Sequence, residues 1–237
     1  FTRIWLQTLV PPAITISLYF VIFGNLVGSR IGDMGGFDYM EFIIPGLIMM
    51  AVIQNSYSNV VSSFFSHKFQ RSVEEVLVSP VPNSIILCGF IVGGMVRGLL
   101  VGAIVTGMAL FFVDLQIQHP LITITVILLT ATVFSLAGFI NALFANSFDD
   151  ISIIPTFVLT PLIYLGGVFY SSALLPPFWQ SVSALNPIFY MVNTFRYGFL
   201  GVSDVPIGAA FFILILFSVV LFGSCLWLLN RGTGLRS

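Results

Sequence analysis

Long apolar stretches separated by short polar segments dominate the chain. A helix that crosses the hydrocarbon core of a bilayer needs about 20 largely apolar residues, at a rise of about 1.5 Å per residue. Six stretches meet this requirement, at residues 5–27, 42–65, 84–113, 121–145, 151–170 and 207–229. The pattern therefore predicts an all-α membrane protein with six transmembrane helices, in which residues 1–237 form a single transmembrane domain.

Prolines interrupt three of the predicted spans, and glycines repeat along the third span. The prolines within spans are Pro11, Pro12, Pro45, Pro155 and Pro161. Because neighbouring helices can satisfy the carbonyls that proline leaves unpaired, we expect kinks rather than helix ends at these positions. In the third span, Gly94, Gly98 and Gly102 recur every four residues, and Gly89 and Gly93 repeat the spacing. Small residues at this spacing predict close packing against another helix.

The composition supports a membrane protein and excludes several other classes. Hydrophobic residues make up 58% of the chain and charged residues only 7%, against about 25% charged residues in soluble domains. The net charge of −1 provides no basic field for nucleic acid. Cys88 and Cys225 lie in apolar runs and are typical of small buried side chains rather than of a disulfide or metal site. The chain starts at Phe1 rather than at methionine, so we expect that the natural N-terminus precedes it.

The distribution of lysine and arginine predicts the orientation in the membrane, because these residues accumulate in cytoplasmic segments. With a cytoplasmic N-terminus, five basic residues would lie inside: Arg3, Lys68, Arg71, Arg231 and Arg236. Only Arg30 and Arg196 would lie outside. The reverse orientation would place the larger group outside, so we expect both termini to be cytoplasmic.

The segment between the second and third spans has the pattern of a short amphipathic helix. Its apolar face would carry Phe65, Phe69, Val73, Val76 and Leu77. Its polar face would carry Lys68, Arg71, Glu74 and Glu75. Arg71 and Glu75 are four residues apart, a distance at which helical side chains pair, and Pro80 would stop the helix. The helix would either anchor the loop at the membrane interface or form a docking surface for a soluble partner.

The segment 171–198, between the fifth and sixth spans, is too apolar for a solvated loop and too broken for a spanning helix. Irregular backbone survives at membrane depth only where protein or a water-filled cavity covers it. The segment therefore predicts two short re-entrant helices that dip into the outer leaflet. The alternative is an aromatic belt at headgroup depth, where Trp and Tyr are favoured.

These two segments resemble motifs of one transporter family. The first motif is the run Phe69-Gln70-Arg71…Glu74-Glu75-Val76-Leu77…Pro80. The second is the run Leu175-Pro176-Pro177-Phe178-Trp179…Asn186-Pro187…Tyr190…Arg196. Because of these motifs, their order and their placement, the chain resembles the permease subunit of a bacterial ATP-binding-cassette (ABC) transporter of the type-2 export class. The resemblance covers nearly the whole chain. Members of this class export polysaccharides, lipids and drugs. The amphipathic helix that usually precedes the first span in that class is not among residues 1–237, a departure for which the missing natural N-terminus would account.

The resemblance implies a homodimer in the bacterial inner membrane, with two copies of an ABC ATPase docked on the cytoplasmic side. The residues that it implies for coupling to the ATPase are Phe69, Arg71, Glu74, Glu75 and Leu77. The residues that it implies for an outer gate are Phe178, Trp179, Asn186, Pro187, Tyr190 and Arg196. The substrate would be amphipathic, lipid-like or drug-like, because the chain is rich in phenylalanine and poor in charges within its spans.

The chain itself has no site for ATP. A phosphate-binding P-loop requires the pattern Gly-x-x-x-x-Gly-Lys-Ser/Thr. Lys68 is the only lysine of the chain, and His67 and Phe69 flank it. We therefore expect this chain to carry no cofactor and no catalytic or metal site, and ATP and magnesium to bind to the partner.

Two polar features within spans are candidates for a translocation path or a dimer interface. Arg97 lies near the middle of the third span, where an unpaired charge is costly. It would either contact an anionic substrate group or pair with helix carbonyls for structural reasons. Gln54, Asn55 and Tyr57 belong to a polar run in the second span, which would either join helices by hydrogen bonds or line an aqueous path.

Two other functions compete with an exporter permease. An ion-coupled secondary transporter usually carries acids or histidines within its spans, whereas all nine acids of this chain lie near span ends or in loops. An intramembrane enzyme would need a catalytic or metal-binding cluster. His67 and His119 are the only histidines, and we expect them on opposite sides of the membrane, so an enzyme is disfavoured.

Overall fold

A computed structural model of the chain describes residues 5–28, 32–72 and 80–232, which are almost entirely helical. In chain order, the α-helices are α1 (Trp5–Val21), α2 (Tyr39–Phe69), α3 (Asn83–Ala109), α4 (Pro120–Phe144), α5 (Asp150–Ile154), α6 (Thr160–Tyr164), α7 (Pro177–Ala184), α8 (Pro187–Leu200) and α9 (Ile207–Arg231). A π-helix at Ile22–Gly28 continues α1, and another at Pro155–Leu159 joins α5 to α6. A 3₁₀ turn at Ser172–Leu174 precedes α7.

A small β-hairpin leads into the second helix. Strands β1 (Asp33–Met34) and β2 (Phe37–Asp38) pair antiparallel. The turn between them is Gly35-Gly36, with φ angles of 64° and 86°, a left-handed conformation that glycine adopts without steric cost. Asp38 then caps α2, because its carboxylate accepts a hydrogen bond from the Met40 amide at 3.2 Å. The hairpin thus fixes where α2 begins.

Helix α2 forms the centre of the fold. It is buried along most of its length and packs most extensively on α4 and α3. Helix α9 packs on α4, and α1 packs mainly on α3. We refer to the two ends of this bundle by the first and last residues of α2, as the Tyr39 end and the Phe69 end.

Four of the described helices, α2, α3, α4 and α9, are long and apolar enough to cross a bilayer. Two shorter apolar helical stretches, Val10–Gly24 and Asp150–Tyr164, correspond to the first and fifth predicted spans. The predominantly helical architecture is therefore confirmed and is consistent with a membrane protein, whereas the number of six spans stays a prediction.

Two helices end several residues before the predicted spans do. The third span was predicted to reach residue 113, but α3 ends at Ala109 and gives way to a turn. The fifth was predicted to reach residue 170, but α6 ends at Tyr164. Gly167, at φ 75°, adopts a backbone conformation that no α-helix accommodates. The apolar run continues beyond both helices, and hydrophobicity alone does not reveal these turns.

The glycine repeat of the third span packs as predicted. Gly94, Gly98 and Gly102 all face α2, and a Cβ atom added at Gly102 would lie 2.7 Å from Cγ2 of Val52. The same addition at Gly89 would meet nothing within 4 Å. The close approach of α2 and α3 therefore depends on Gly94, Gly98 and Gly102 and not on Gly89.

The predicted amphipathic helix is wrong at its start. Helix α2 continues through Phe69, so Phe65 and Phe69 belong to the long helix and not to a separate one. Arg71 has a left-handed backbone conformation with φ 58°, which interrupts the helix at that point. The remaining coupling residues, Glu74, Glu75 and Leu77, lie outside the described residues.

Candidate functional site

A polar face of α2 lines a cleft between α1, α2 and α3. The cleft has a volume of about 300 Å³. Its polar lining consists of Thr15, Gln54, Asn55, Ser58 and Arg97. Its apolar lining consists of Pro11, Pro12, Ile16, Met50 and Ala51. The structure thus brings together three residues that the sequence had indicated separately, namely Gln54, Asn55 and Arg97.

Arg97 enters this cleft from α3 and is not paired with any of the described residues. Its Nε atom is buried and has no hydrogen-bond acceptor. No described residue accepts a hydrogen bond from the rest of its guanidinium group or forms an ion pair with it. The alternative of a structural arginine paired with helix carbonyls therefore finds no support among residues 5–28, 32–72 and 80–232.

In the part of the chain that the structure describes, two side-chain hydrogen bonds at the polar run of α2 stay within that helix. Asn55 donates from Nδ2 to the carbonyl of Ala51 at 2.9 Å, and Ser62 donates to the carbonyl of Ser58 at 2.7 Å. Both bonds are made within α2. Both roles considered for this run, joining helices and lining an aqueous path, stay predictions.

Tyr57 lies in an adjoining cavity rather than in the same cleft. This cavity has a volume of about 240 Å³ and lies between α2 and the fifth helical stretch, with Ser152, Pro155 and Thr156 on its far side. The Tyr57 ring is buried, and its hydroxyl lies near Asn141 of α4 without a hydrogen bond of good geometry to any described residue. Ser58 borders both cavities. The two cavities therefore adjoin at Ser58, and we refer to their linings on α2, from Met50 to Ser62, as the track.

The wall of this second cavity is π-helical because of its prolines. Pro155 has no amide hydrogen, and the amide of Thr160 bonds to the carbonyl of Pro155, five residues earlier. The Thr160 hydroxyl donates to the same carbonyl at 2.9 Å. Segments of π-helix occur often at functional sites, and here one faces Tyr57 and Ser58.

The Phe69 end of the bundle is held together by the single lysine. Lys68 donates from Nζ to the carbonyls of Leu143 and Ala145, both at 2.8 Å, and so caps the end of α4. Phe69 is 64% exposed, and its ring centroid lies 5.1 Å from that of Phe148, in the loop after α4. An exposed aromatic pair therefore lies next to the segment predicted to couple to an ATPase.

At the Tyr39 end, two of the residues predicted for an outer gate shape the segment 171–198. The side chain of Asn186 accepts a hydrogen bond from the amide of Ile188 at 3.0 Å and donates to the carbonyl of Leu162 at 2.6 Å. Pro187 follows as the first residue of α8, where a missing amide hydrogen costs nothing. Asn186 and Pro187 thus start α8 and tie it to α6.

Three further predicted gate residues lie nearer the surface. Tyr190 donates from its hydroxyl to the carbonyl of Ala184 at 2.9 Å, which joins α8 to α7. Phe178 and Trp179 are 70% and 45% exposed, and their rings contact each other at 5.4 Å. Of the predicted gate residues, this pair is the most accessible, and its role in gating stays a prediction.

Arg196 is buried at the junction of four chain segments. It is 1% exposed, donates to the carbonyl of Gly167 at 2.7 Å and to that of Phe42 at 3.2 Å, and stacks on the Phe42 ring at 3.9 Å. Asn193 accepts a third bond at 3.4 Å and also accepts one from the amide of Asp204. These contacts give Arg196 a structural role in holding α8 to α2.

Comparison with known proteins decides the family. Residues 1–200 match the family described as ABC-2 type transporter, a family of membrane subunits. The chain belongs to this family.

Relatives of this permease agree with the assignment. It is 61% identical over 237 residues to the inner membrane transport permease YadH of Escherichia coli (strain K12), a match that covers 100% of this chain and 93% of the relative. It is 24% identical over 215 residues to nodulation protein J of Rhizobium meliloti (strain 1021), covering 90% and 82% of the two chains. This permease is therefore a multi-pass inner-membrane transport protein, and a transporter subunit rather than an enzyme.

Sequence reasoning missed part of the cleft. Pro11 and Pro12 were noted only as interruptions of the first span, although they line the cleft opposite Gln54. Thr15 follows Pro11 by four residues and Pro12 by three, so it lies on the same helical face. A hydroxyl group and two prolines on one face of an apolar span were the sequence signal that could have indicated this wall of the cleft.

Proposed function

We propose that this permease is the membrane subunit of an ATP-driven exporter, acting as a homodimer with two copies of a separate ABC ATPase that carries the ATP and magnesium. The substrate is amphipathic, lipid-like or drug-like. Family membership supports an ABC ATPase as the partner. The observation that carries the proposal is the cleft, which joins the polar side chains of Gln54, Asn55 and Arg97 to apolar walls.

The proposed orientation places the Phe69 end in the cytoplasm, because the charge distribution favours cytoplasmic termini. Docking of the ATPase then involves Phe69 and Arg71 at this end, together with Glu74, Glu75 and Leu77. Exposure of Phe69 agrees with a docking role. Helix α2 is 31 residues long, about 46 Å at 1.5 Å per residue, so movement at Phe69 is transmitted along the same helix to Gln54 and Asn55.

Alternating access then consists of rigid-body rocking of the two copies. The segment with α7 and α8 lies on the outer side, with Phe178 and Trp179 towards the outer leaflet. In the described part of the chain, no carboxylate lines the cleft, a feature that disfavours the alternative of an ion-coupled secondary transporter.

Reversing the charges of the docking segment is expected to separate the two subunits. In the Glu74→Lys, Glu75→Lys variant, the permease should still insert and purify, but a P-loop ATPase that accompanies the wild-type chain in a mild detergent should be lost. Transport should fall with it. The measurement is a pull-down of the tagged chain from its native membrane, with identification of the bound proteins and their stoichiometry.

A matched control places the same charge change at the opposite end of the bundle. The Asp33→Lys, Asp114→Lys variant should retain the ATPase. Retention of the ATPase and of full transport by the Glu74, Glu75 variant would contradict the docking assignment. A wild-type chain that purifies alone in several mild detergents would instead favour an ion-coupled transporter.

A further inference from the structure

Arg97 presents an uncompensated positive charge to the cleft. It lies near the middle of α3, in a helix that is long and apolar enough to cross the membrane. A charge at this depth is costly unless it is paired or hydrated. Its Nε atom has no acceptor, and among the described residues the cleft has no carboxylate.

The neutral groups around Arg97 suit a bound anion. Gln54, Ser58 and Thr15 line the cleft and provide hydrogen-bond donors that are uncharged. Asn55 uses its amide group within α2, on the carbonyl of Ala51. On the apolar side, Ile16 and similar side chains offer a surface for an acyl chain. The cleft thus combines one cation, several neutral donors and an apolar wall.

We propose that this cleft binds the phosphate headgroup of an anionic amphiphile, with the guanidinium group of Arg97 as its main ligand. The planar guanidinium donates two parallel hydrogen bonds to a phosphate and is suited to this role. The proposal rests on the proposed function and narrows its substrate class. The same chemistry would be supplied by a bilayer phospholipid or by a single-chain transported molecule.

Native mass spectrometry of the purified permease, released from a neutral maltoside detergent, tests the proposal. The protein is titrated with dodecyl phosphate or dodecanol, and in parallel with phosphatidylglycerol or diacylglycerol. We expect the phosphate member of at least one pair to bind more tightly than its neutral counterpart. Arg97→Gln should weaken that binding by about tenfold or more, as expected for the loss of a charge-assisted hydrogen bond, and Arg97→Lys should retain part of it.

The two sources give different results. Preference for phosphatidylglycerol alone identifies a bilayer lipid, and preference for dodecyl phosphate identifies a single-chain amphiphile. Arg231→Gln is the control, because Arg231 lies at the end of α9 and stacks on Trp227. Equal binding of phosphate and neutral compounds, or unchanged binding by Arg97→Gln, would overturn the proposal. The ATPase pull-down is independent of this result, so the two proposals can fail separately.

A second inference comes from an aromatic cluster at the Tyr39 end. The ring of Phe169 contacts those of Phe23, Tyr19 and Tyr164, with centroid distances of 5.0, 5.9 and 5.9 Å. The hydroxyls of Tyr19 and Tyr164 are 3.5 Å apart. Tyr39 fixes the position of Phe169 by donating to its carbonyl at 3.3 Å.

This cluster joins two spans that otherwise share few contacts in the described structure. Tyr19 and Phe23 belong to the first span and Tyr164 to the fifth, and no extensive helix contact connects the two. Phe23 lies in one π-helix, and the other ends five residues before Tyr164. Aromatic pairs contribute only about 0.5–1.5 kcal/mol each, so the contact is able to open.

We infer that the aromatic cluster closes the track along α2 at its Tyr39 end. Substituted-cysteine labelling tests this gate. Asn55→Cys, at a buried residue of the cleft lining, is placed in a Cys88→Ser, Cys225→Ala background and exposed on intact cells to a membrane-impermeant maleimide. Labelling should be slow, and the added changes Tyr19→Ala and Phe169→Ala should accelerate it several-fold.

Two comparisons make this result specific. Phe212→Ala removes an exposed ring from α9 and should leave labelling slow. Phe178→Ala with Trp179→Ala tests the gate predicted from sequence. Acceleration by this second pair alone, or fast labelling before any ring is removed, would overturn the assignment of the gate to the aromatic cluster.

Discussion

Replacement of Arg196 by methionine is expected to prevent accumulation of folded permease. Methionine retains much of the side-chain length but cannot donate hydrogen bonds. The carbonyl of Gly167 would then be buried without a partner, at a cost of about 1–3 kcal/mol, and the carbonyl of Phe42 would lose its hydrogen bond from the side chain. The cation–π contact with the Phe42 ring would also be lost. Since most domains are stable by only about 5–15 kcal/mol, fluorescence-detected gel filtration should show little monodisperse protein and a lowered melting temperature.

Two variants show whether burial of the guanidinium group is responsible. Arg196→Lys retains the charge but not the fork of donors that reaches separate carbonyls, so its stability should be intermediate. Arg231→Met removes an arginine that stacks on Trp227 at the end of α9, and it should behave like the wild type. A monodisperse Arg196→Met protein with an unchanged melting temperature would contradict the structural role and return Arg196 to the predicted outer gate.

The buried position of Arg196 could not be predicted from the sequence around it. Its partners Phe42 and Gly167 are 154 and 29 residues away in the chain. The local pattern placed Arg196 in a segment of short helices between two spans, which agrees with its position in α8, but it gave no information on burial. By contrast, the Asn186-Pro187 pair acts within its own helix start, and a capping residue followed by proline is a signal that sequence alone carries.

The sequence predicted the positions of those helices whose bounds coincide with the ends of an apolar stretch. Predicted span 207–229 corresponds to α9 (Ile207–Arg231), and predicted span 121–145 corresponds to α4 (Pro120–Phe144). The predicted end of the fifth span was wrong because a turn at Gly167 ends the helix, while the apolar run in the sequence continues through that turn. Helix α2 is longer than predicted at both ends, since Asp38 caps its start and the polar residues His67 and Lys68 remain helical.

The cleft shows the same limit at the level of side chains. Arg97 and Gln54 were identified separately, each because a polar side chain is unusual in an apolar span. Their meeting depends on how closely α3 approaches α2, which is a tertiary property. Gly98 directly follows Arg97 in the chain and faces Ser56 of α2. The glycine repeat that permits the close approach of the two helices therefore also brings the arginine to the polar face of α2.

Enlarging Gly94 should therefore disrupt both the fold and the cleft. A Cβ atom at this position would already lie 2.5 Å from Oγ of Ser135 and 3.0 Å from the carbonyl oxygen of Ser56, and it would overlap a methyl group of Val60. Gly94→Leu would force α3 away from α2, at a cost of about 1–3 kcal/mol or more for overpacking. We expect a lowered melting temperature in mild detergent and, in the fraction that folds, weaker Arg97-dependent binding of the preferred phosphate amphiphile.

Gly89→Leu is the matched control, because it adds the same side chain to the same helix at a position with nothing within 4 Å. It should retain the wild-type melting temperature and amphiphile binding. Equal losses in the two variants would mean that leucine disturbs α3 itself, and that close packing on α2 is not what the glycines provide. A loss confined to Gly94→Leu would show that the distance between α2 and α3 determines whether Arg97 reaches the polar track.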